Sequence, residues 1–232
     1  MQPYFIWNGI DSRSMGVVVT AYPPIIRAKE RVTQVTIPGR AGTMTMLEGD
    51  AVYDGYIKTI RIGNRPTAAL QPIISWLHGA GELILGNEPN MAYTGRIINQ
   101  ISFTKLFPGT WQADVQIWVE PFKHSAIPEP AISVSQTDVL YNPGDVASFP
   151  RITLTGTGTG TLVLAGVAMT FEDVNEGIIV DCEAQLATDL AGQNLLTYKC
   201  TGDYPIIPVR YSQVVWDGNF SSVSIVPRWR WL

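Results

Sequence analysis

Apolar and polar residues alternate most regularly between residues 111 and 119. Every odd-numbered position there is apolar, and three of the four even-numbered positions are Gln112, Asp114 and Gln116. A period of two predicts an antiparallel strand that buries one face. We expect this strand to pair with a longer one over residues 95–106, through a turn at residues 107–110.

Shorter apolar runs predict more strands in the first half of the chain. They cover residues 5–7, 17–20, 32–37, 43–46, 56–62 and 83–85. Asn8-Gly9 favours a tight turn after the first run, because both residues tolerate positive φ. The runs over residues 32–37 and 43–46 flank Pro38-Gly39-Arg40-Ala41-Gly42, so we expect them to form a hairpin.

One helix is predicted after residue 66. Its apolar residues recur at spacings of three, four and seven: Leu70, Ile73, Ile74 and Leu77. The helix begins either with Thr67 as N-cap or near Gln71, with Pro72 in the favoured first position. Gly79 supplies a stop. Because a helix of about 7 to 12 residues is marginal alone, its apolar stripe should lie on a sheet.

Residues 120–130 contain three prolines and show no regular period. Proline fixes φ and removes a hydrogen-bond donor, so this segment is expected to be an extended connector. We therefore expect two domains, residues 1–125 and 131–232, each long enough to bury a core. The first domain is α+β, with antiparallel strands and one helix.

The second half of the chain is almost entirely strand and turn. Strands are predicted over residues 151–155, 167–171, 178–182, 195–200 and 222–226. Asp217-Gly218-Asn219 predicts a hairpin turn, and the Gly-Thr repeat of residues 156–161 predicts an exposed loop. Residues 227–232 alternate cation and aromatic, which favours a last strand with buried Trp and solvated Arg side chains. The spacing predicts an antiparallel β-sandwich.

Charged residues make up 16% of the chain, against about 25% in typical soluble proteins. This low charge indicates that part of the surface is covered by partners, including copies of the chain itself. A net charge of −4 gives no footprint for sequence-specific nucleic-acid binding. We expect no membrane insertion, because no apolar run is long enough, and no signal peptide. Cys182 and Cys200 could face each other on neighbouring strands, but free buried thiols are the expectation.

The candidates for catalysis are acidic. Asp181 and Glu183 share a face of a predicted strand, and two carboxylates could act as acid and base of a wall-degrading glycosidase. Further acids lie at Glu172, Asp173 and Glu176. His78 and His124 lack metal-ligand spacing, and neither cysteine has a nearby histidine. The Gly-Thr repeat lacks the helix and lysine of a phosphate-binding loop. We therefore expect no enzyme, no cofactor and no metal site.

Two non-catalytic alternatives stay open at this point. The sandwich could bind a cell-wall sugar and so aid host adsorption, with Trp216, Trp229 or Trp231 as the stacking platform. The charge cluster of Arg27, Lys29, Glu30 and Arg31 is either a solvated loop or edge, or a rim of ion pairs between subunits.

A series of short motifs runs along nearly the whole chain. They are Asn8-Gly9-Ile10-Asp11-Ser12, Met15-Gly16, Pro23-Pro24 with Arg27, Ile37-Pro38-Gly39-Arg40 with Gly42, Trp76-Leu77 with Gly79 and Gly81, Asn142-Pro143-Gly144, Phe149-Pro150, Asp181 with Glu183, Gly202-Asp203-Tyr204-Pro205, Trp216-Asp217-Gly218 and Pro227-Arg228-Trp229-Arg230-Trp231. Their order and spacing resemble the distal tail proteins of siphophages, bacteriophages with long non-contractile tails. Ala41 and Cys182 depart from the family pattern, which has an acidic residue and a small hydroxyl residue there.

The resemblance implies a structural virion protein of the phage tail tip or baseplate, made in the bacterial host cytoplasm. Its N-terminal domain would form a homo-hexameric ring, a hub that joins the tail tube to the adhesion apparatus. The DNA or the tape-measure protein would pass through this ring. Its C-terminal domain would be a galectin-like sandwich that docks the tail-tip hub and receptor-binding proteins for host attachment.

The subunit interface is expected on two predicted hairpins, over residues 31–46 and 95–119. Its candidate residues are Arg31, Val35, Ile37, Arg40, Met44, Met46, Ile101, Phe103, Val115 and Ile117. This choice follows from the alternating apolar content of the hairpins and from the family resemblance.

Overall fold

The computed structural model describes residues 2–49, 52–66 and 68–232. The chain divides into two compact units, Met1–Ala126 with Leu232 (unit 1) and Ile127–Trp231 (unit 2). The roles of ring domain and outer sandwich that the sequence analysis gives to the two halves stay predictions.

Unit 1 is built on one antiparallel sheet. Its elements are β1 (Phe5–Trp7), β2 (Ile10–Asp11), β3 (Val17–Ala21), β4 (Lys29–Glu30), β5 (Val32–Thr36), β6 (Thr43–Leu47), β7 (Tyr53–Asp54), β8 (Tyr56–Asn64), α1 (Leu70–Trp76), β9 (Ala80–Leu85), β10 (Glu88–Ile97), β11 (Thr104–Phe107) and β12 (Thr110–Ser125). The large sheet has the order β2-β1-β9-β10-β12-β8-β3, and β11 also pairs with β12. Two small sheets, β4 with β7 and β5 with β6, stand apart from it.

The alternation in β12 places its odd-numbered residues in the core of unit 1, as predicted. Ala113, Val115, Ile117 and Val119 are all buried. The helix α1 contributes to the same core. The Trp76 ring stacks on Phe5 with ring centroids 5.3 Å apart, and its Nε1 donates to the carbonyl oxygen of Trp7 at 3.2 Å. A short helix is thus stabilised by the strands it packs against.

α1 begins at Leu70, one residue before the later of the two predicted starts, but Pro72 is not its first residue. The N-cap is Ala69, which makes no side-chain capping bond, whereas Thr67 lies outside the described residues. Pro72 is the third helical residue, where its missing N–H would have no intrahelical partner in any case. Ile73, Trp76 and Leu77 are the buried residues, and Ile74, which the predicted stripe included, is exposed.

The predicted strand over residues 95–106 is wrong. β10 begins earlier and ends at Ile97, and β11 is a separate strand. Asn99 fills the gap between them, because its Nδ2 donates to the Asp114 carbonyl oxygen at 2.8 Å and its Oδ1 accepts from the Gln116 N–H at 2.9 Å. A side chain therefore replaces the missing backbone ladder.

The predicted connector begins too early. β12 continues to Ser125, through a proline that was expected to end it. Pro121 is tolerated because the register between β10 and β12 shifts there: Tyr93 pairs with Lys123, but Gly95 pairs with Val119. At such a bulge no ladder N–H is required.

Unit 2 is an antiparallel sandwich. Its elements are β13 (Ile132–Val134), β14 (Thr137–Asn142), β15 (Arg151–Leu164), β16 (Val167–Val174), β17 (Gly177–Asp181), β18 (Leu186–Thr188), a 3-10 turn (Thr197–Lys199), β19 (Cys200–Gly202) and β20 (Arg210–Val226). The long strands β15 and β20 pair along their lengths. β17 and β13 flank them at one end, and β16 and β14 at the other. Because both strands run through both layers, the inward residues of the two layers share one core.

The Gly-Thr repeat and the Asp-Gly-Asn segment lie inside β15 and β20, so the predicted loop and hairpin turn are both wrong. The two segments face each other, with Gly156 opposite Phe220 and Gly160 opposite Gly218, and the register shifts on either side. A Cβ on Gly218, whose φ is 92°, would lie 2.4 Å from the Gly160 Cα. Glycine is therefore needed where the two backbones approach and bend together.

Two further predicted strands of unit 2 are also wrong. Residues 195–200 form mostly the 3-10 turn, and β19 begins only at Cys200. β20 ends at Val226, and Arg228 has a φ of 54°, which breaks an extended chain. The guanidinium of Arg230 lies 4.5 Å from the Phe149 ring centroid and donates to a backbone carbonyl, so it contacts protein rather than water.

At the level of fold class the prediction is confirmed. Over the described residues the structure is mainly β and antiparallel, with one α-helix, and the second half of the chain is a sandwich.

Candidate interaction surfaces

The hairpin of β5 and β6, here called the ribbon, is a two-stranded sheet with one apolar face. Cross-strand partners share a face, so Val35 lies beside Met44 and Thr33 beside Met46. Ile37 continues this face by alternation. The opposite face carries the polar pairs Gln34–Thr45 and Thr36–Thr43, with one apolar pair, Val32–Leu47, at the base. The ribbon is therefore amphipathic.

The apolar face of the ribbon is uncovered. Val35, Ile37, Met44 and Met46 are between 37% and 51% exposed. An isolated two-stranded hairpin is marginal in water, and a stable one packs a face against other structure. Four exposed apolar side chains on one face thus make the ribbon a candidate interaction surface.

The root of the ribbon is fixed within the chain. The Arg31 guanidinium lies 2.8 Å from the Asp54 carboxylate, and the Arg31 N–H donates to the carbonyl oxygen of Val52. Thr33 donates to the Glu48 carboxylate. Since Arg31 and Asp54 are both about half exposed, this ion pair stabilises the fold little. Arg31 belongs to the charge cluster of the sequence analysis. Its acidic partner, Asp54, lies in its own chain.

The ten predicted interface residues do not share one environment. Arg31, Arg40 and the four apolar residues of the ribbon are exposed. Val115 and Ile117 are fully buried in the core of unit 1, so their side chains cannot reach a partner's surface. Ile101 and Phe103 are half-buried and pack against the same core.

Sequence reasoning missed several exposed apolar residues of unit 1. Leu47 lies at the base of the ribbon, and Leu106 and Phe107 end β11. Phe107 lies at a predicted turn, where no neighbouring segment was expected to bury it. Its exposure could therefore have been inferred from the sequence. Leu47 is apolar where the alternation of Thr43-Met44-Thr45-Met46 would place a polar residue. The pattern therefore gave no indication that Leu47 is exposed.

An unexpected feature is a buried cluster of charge in unit 1. The ammonium of Lys58, which is fully buried, and that of Lys123 lie 4.0 Å and 3.5 Å from the two carboxylate oxygens of Glu88. The Tyr93 hydroxyl donates to the same carboxylate at 2.6 Å. Burial lowers the pKa of Lys58. The charge of Glu88 opposes this shift, and the charge of Lys123 adds to it. Burial also raises the pKa of Tyr56 to about 12, with Glu88 adding to it.

A groove of about 350 Å³ opens on the surface of unit 1. It is lined by Arg61, Asn99, Gln100, Ser102, Thr104, Leu106, Gln112, Ala113 and Asp114. Arg61 and Asp114 are cross-strand partners in this lining and form a two-bond ion pair, at 2.8 Å and 3.2 Å. The hydrogen bond from Arg61 lowers the pKa of Asp114, so this carboxylate is a poor general acid.

The acidic pair of the sequence analysis is tied to an arginine. The Arg228 guanidinium contacts both oxygens of Asp181 at 2.9 Å and 2.8 Å, and one oxygen of Glu183 at 3.3 Å. The hydrogen bond from Arg228 is the main cause of a lowered pKa at Asp181. A glycosidase needs one carboxylic acid with a raised pKa, which is the opposite of what Asp181 shows.

The other acids of the sequence analysis offer no better candidate. Glu172, Asp173 and Glu176 are exposed, and Asp173 pairs with Lys199 at 3.3 Å. Burial raises the pKa of Cys182 to about 12 and that of Cys200 to about 11, so neither thiol ionises readily. Within the described ranges, no three His, Cys, Asp or Glu side chains are grouped to hold a metal ion.

The tryptophans suggested as a sugar platform are largely occupied. Trp216 is only 8% exposed, belongs to the core of unit 2, and donates its Nε1 proton to the Val134 carbonyl oxygen. Trp229 is half-buried against the same core, and its backbone N–H donates to the Glu129 carboxylate at 3.1 Å. Trp231 is half-buried. Trp216 therefore has no open face for a sugar ring.

Over residues 2–49, 52–66 and 68–232, no helix combines the length and the apolar character needed to cross a membrane.

Comparison with known structures relates the chain to a phage protein. Its fold matches the crystal structure of the SPP1 Dit protein (gp 19.1), described as a paradigm of the hub adsorption apparatus in phages that infect Gram-positive bacteria. The match covers 100% of both chains with a TM-score of 0.79 and 13% sequence identity. No protein-family model and no curated protein sequence matches the chain. The resemblance to distal tail proteins that the motifs indicated is therefore confirmed as a likeness of fold.

Proposed function

We propose that this protein is a structural subunit of the hub in a phage tail adsorption apparatus, and that six copies close into a ring. The ring would join the tail tube to the tail tip. The observation that carries the proposal is the ribbon, whose uncovered apolar face projects from a chain with the fold of SPP1 Dit. Self-association is the simplest way to cover a surface that every copy presents.

The energetics favour such a contact. Fully burying an aliphatic side chain contributes about 1.5–3 kcal/mol, and each of the four apolar residues of the ribbon gains part of that on docking. In a ring, each subunit offers its ribbon to one neighbour and receives a ribbon from the other. Such head-to-tail contacts repeat identically and leave no unmatched end once the circle closes.

A structural role also agrees with the candidate sites. Asp181 and Asp114 are each held ionised by an arginine, and the two thiols are held protonated. We propose that the protein has no catalytic activity. Its partners would be copies of itself, the tail tube protein, the tail-tip hub protein and receptor-binding proteins, and its location the virion tail tip.

A substitution on the apolar face of the ribbon tests the proposal. Met44→Asp places a charge where a neighbour would pack, so we expect the assembled particle to fall apart into monomers. The measurement is the particle mass by size-exclusion chromatography with light scattering, at concentrations on the order of tens of micromolar. The melting temperature should barely change relative to that of an isolated wild-type subunit, because Met44 lies outside the core.

The matched control is Thr45→Asp, which adds the same charge one position along on the opposite face of the ribbon. This variant should keep the wild-type mass. Equal loss of assembly in both variants would show that charge, rather than the apolar face, governs association. A wild-type protein that is strictly monomeric would contradict the ring itself.

A further inference from the structure

The tip of the ribbon, residues 37–42, carries an exposed arginine. The Arg40 backbone N–H closes the turn by donating to the Ile37 carbonyl oxygen at 3.1 Å. Its side chain is exposed, and in the described parts of the chain it has no hydrogen-bonding or ionic partner. A guanidinium is a planar fork of five N–H donors that suits carboxylate and carbonyl oxygens. The tip therefore presents an unused donor group at the far end of an uncovered apolar face.

The groove of unit 1 presents acceptors that match such a donor. Amide or hydroxyl oxygens come from four of its lining side chains, Gln100, Ser102, Thr104 and Gln112. Over the described residues, none of these four side chains makes a hydrogen bond. The Asp114 carboxylate lies in the same lining and is about half exposed. Arg61 takes one position on each of its oxygens, and a carboxylate has about four such positions, so Asp114 can accept from a second guanidinium.

An apolar patch lies at a fixed distance from the groove. Trp118 and Ile57 are cross-strand partners on the outward face of the large sheet, and they are 41% and 48% exposed. Asp114 and Arg61 are cross-strand partners on the same face, four residues away on each strand. Strands rise about 3.3 Å per residue, so the two pairs lie about 13 Å apart. The outward face thus combines polar acceptors at one end with an apolar pair at the other.

The ribbon has the same spacing between its donor and its apolar side chains. Met44 and its cross-strand partner Val35 belong to the apolar face, and Met44 lies four residues from Arg40. The extended chain between them spans about 13 Å. A ribbon laid along the outward face of another copy therefore sets this pair on Trp118 and Ile57 when its tip reaches the groove. One contact fixes the position by hydrogen bonds, and the other buries apolar area.

We propose that the groove receives the ribbon tip of a second copy of this chain, and that Arg40 of that copy donates to Asp114 and the oxygens beside it. This inference rests on the proposed ring and adds the surface that the ribbon enters. The groove is incomplete without the neighbour, because the neighbour supplies the donor for its acceptors. In a closed ring each copy gives one tip and receives one, as head-to-tail contacts require.

The test is site-directed cross-linking of the full-length protein. Ala41→Cys puts a thiol next to Arg40 and leaves the guanidinium in place, and Ser102→Cys puts a thiol in the groove wall. Both positions are exposed. The double variant is treated with bismaleimidoethane, a short thiol cross-linker, and we expect a ladder of covalent oligomers up to the hexamer on a denaturing gel. Cys182 and Cys200 react little, because burial raises the pKa of both thiols.

The matched control combines Thr45→Cys with Ser102→Cys, because Thr45 lies on the opposite face of the ribbon. This pair should give monomers under the same treatment. A second measurement follows the concentration at which half of the protein is assembled, by light scattering. Arg40→Ala should raise that concentration about tenfold, because charge-assisted hydrogen bonds are lost. Arg40→Lys should recover only part of the loss, since an ammonium lacks the planar fork.

The outcomes separate this inference from the ring itself. If the wild-type protein assembles but the Ala41→Cys/Ser102→Cys variant gives no covalent oligomers, the groove is not the receiving site and the ring proposal stands. The same holds if Arg40→Ala assembles as readily as wild type, or if the Thr45→Cys control cross-links equally well. A strictly monomeric wild-type protein overturns both proposals.

Discussion

Glu88 is the residue on which the buried charge of unit 1 depends. It is the shared partner of two ammonium groups, those of Lys58 and Lys123, and it also accepts from Tyr93. Two cations on one carboxylate leave an excess positive charge in a buried site. The Tyr93 ring, 4.5 Å from the Lys58 ammonium, and the Pro24 carbonyl oxygen at 3.5 Å offset part of that cost.

Removing the Glu88 carboxylate should therefore lower the free energy of unfolding far more than removing one of the two ammonium groups. We expect Glu88→Gln to destabilise the fold by about 3–5 kcal/mol, because both ammonium groups lose their carboxylate. Lys58→Met should cost less than about 1 kcal/mol, because Glu88 keeps Lys123 and Tyr93, and the excess charge is removed. Urea unfolding of both variants measures this difference. Equal destabilisation would show that Lys58 contributes more than its charge.

The burial of Lys58 could be predicted from sequence, but its partners could not. Lys58 precedes Ile60 and Ile62 at the same parity in β8, which places it on the buried face. Glu88 and Lys123 come from distant strands that meet β8 only through the order of the sheet. Alternation indicates which residues are buried, and pairing between strands decides what they contact.

At the scale of elements, β15 and β20 determine the architecture of unit 2. Each strand passes from one layer of the sandwich to the other, and both bend where the glycines meet. A Cβ on Gly160 would lie 2.6 Å from the Asp217 carbonyl oxygen, and one on Gly218 would lie 2.4 Å from the Gly160 Cα. The crossing thus leaves no room for side chains on either strand.

Gly218→Ala should accordingly destabilise unit 2 by more than about 3 kcal/mol, since it adds a backbone clash to an unfavourable φ. Gly166 has a similar positive φ of 83° but meets nothing within 4 Å of an added Cβ. Gly166→Ala should cost only about 1–2 kcal/mol, the penalty of the left-handed conformation. Thermal unfolding compares the two. Equal penalties would mean that the close approach at Gly218 relaxes without cost.

These strands also show where prediction from sequence fails. The β12 alternation and the Asn8-Gly9 turn were predicted correctly, because both depend on neighbouring residues. Asp217-Gly218-Asn219 has the composition of a hairpin turn, yet it lies in mid-strand, since pairing with the Gly-Thr repeat overrides local preference. A prediction that uses only neighbouring residues cannot detect such long-range pairing.

At the scale of the whole molecule, the match to SPP1 Dit shows the fold, and the low charge and the uncovered ribbon support the proposed self-assembly. Of the predicted interface residues, the apolar residues of the ribbon are exposed, whereas Val115 and Ile117 are buried. The interface itself stays a prediction. Both segments alternate, and alternation cannot distinguish a face buried in the chain's own core from one awaiting a partner. Only the sheet order shows that α1 and its neighbours already cover the β12 face.

The most direct test of the proposed function is negative-stain electron microscopy of the purified wild-type protein. Class averages of the wild-type protein should show closed rings with sixfold symmetry and a central opening. These rings should be absent in Met44→Asp and present in Thr45→Asp. Solitary particles without symmetry in the wild-type sample would contradict the account.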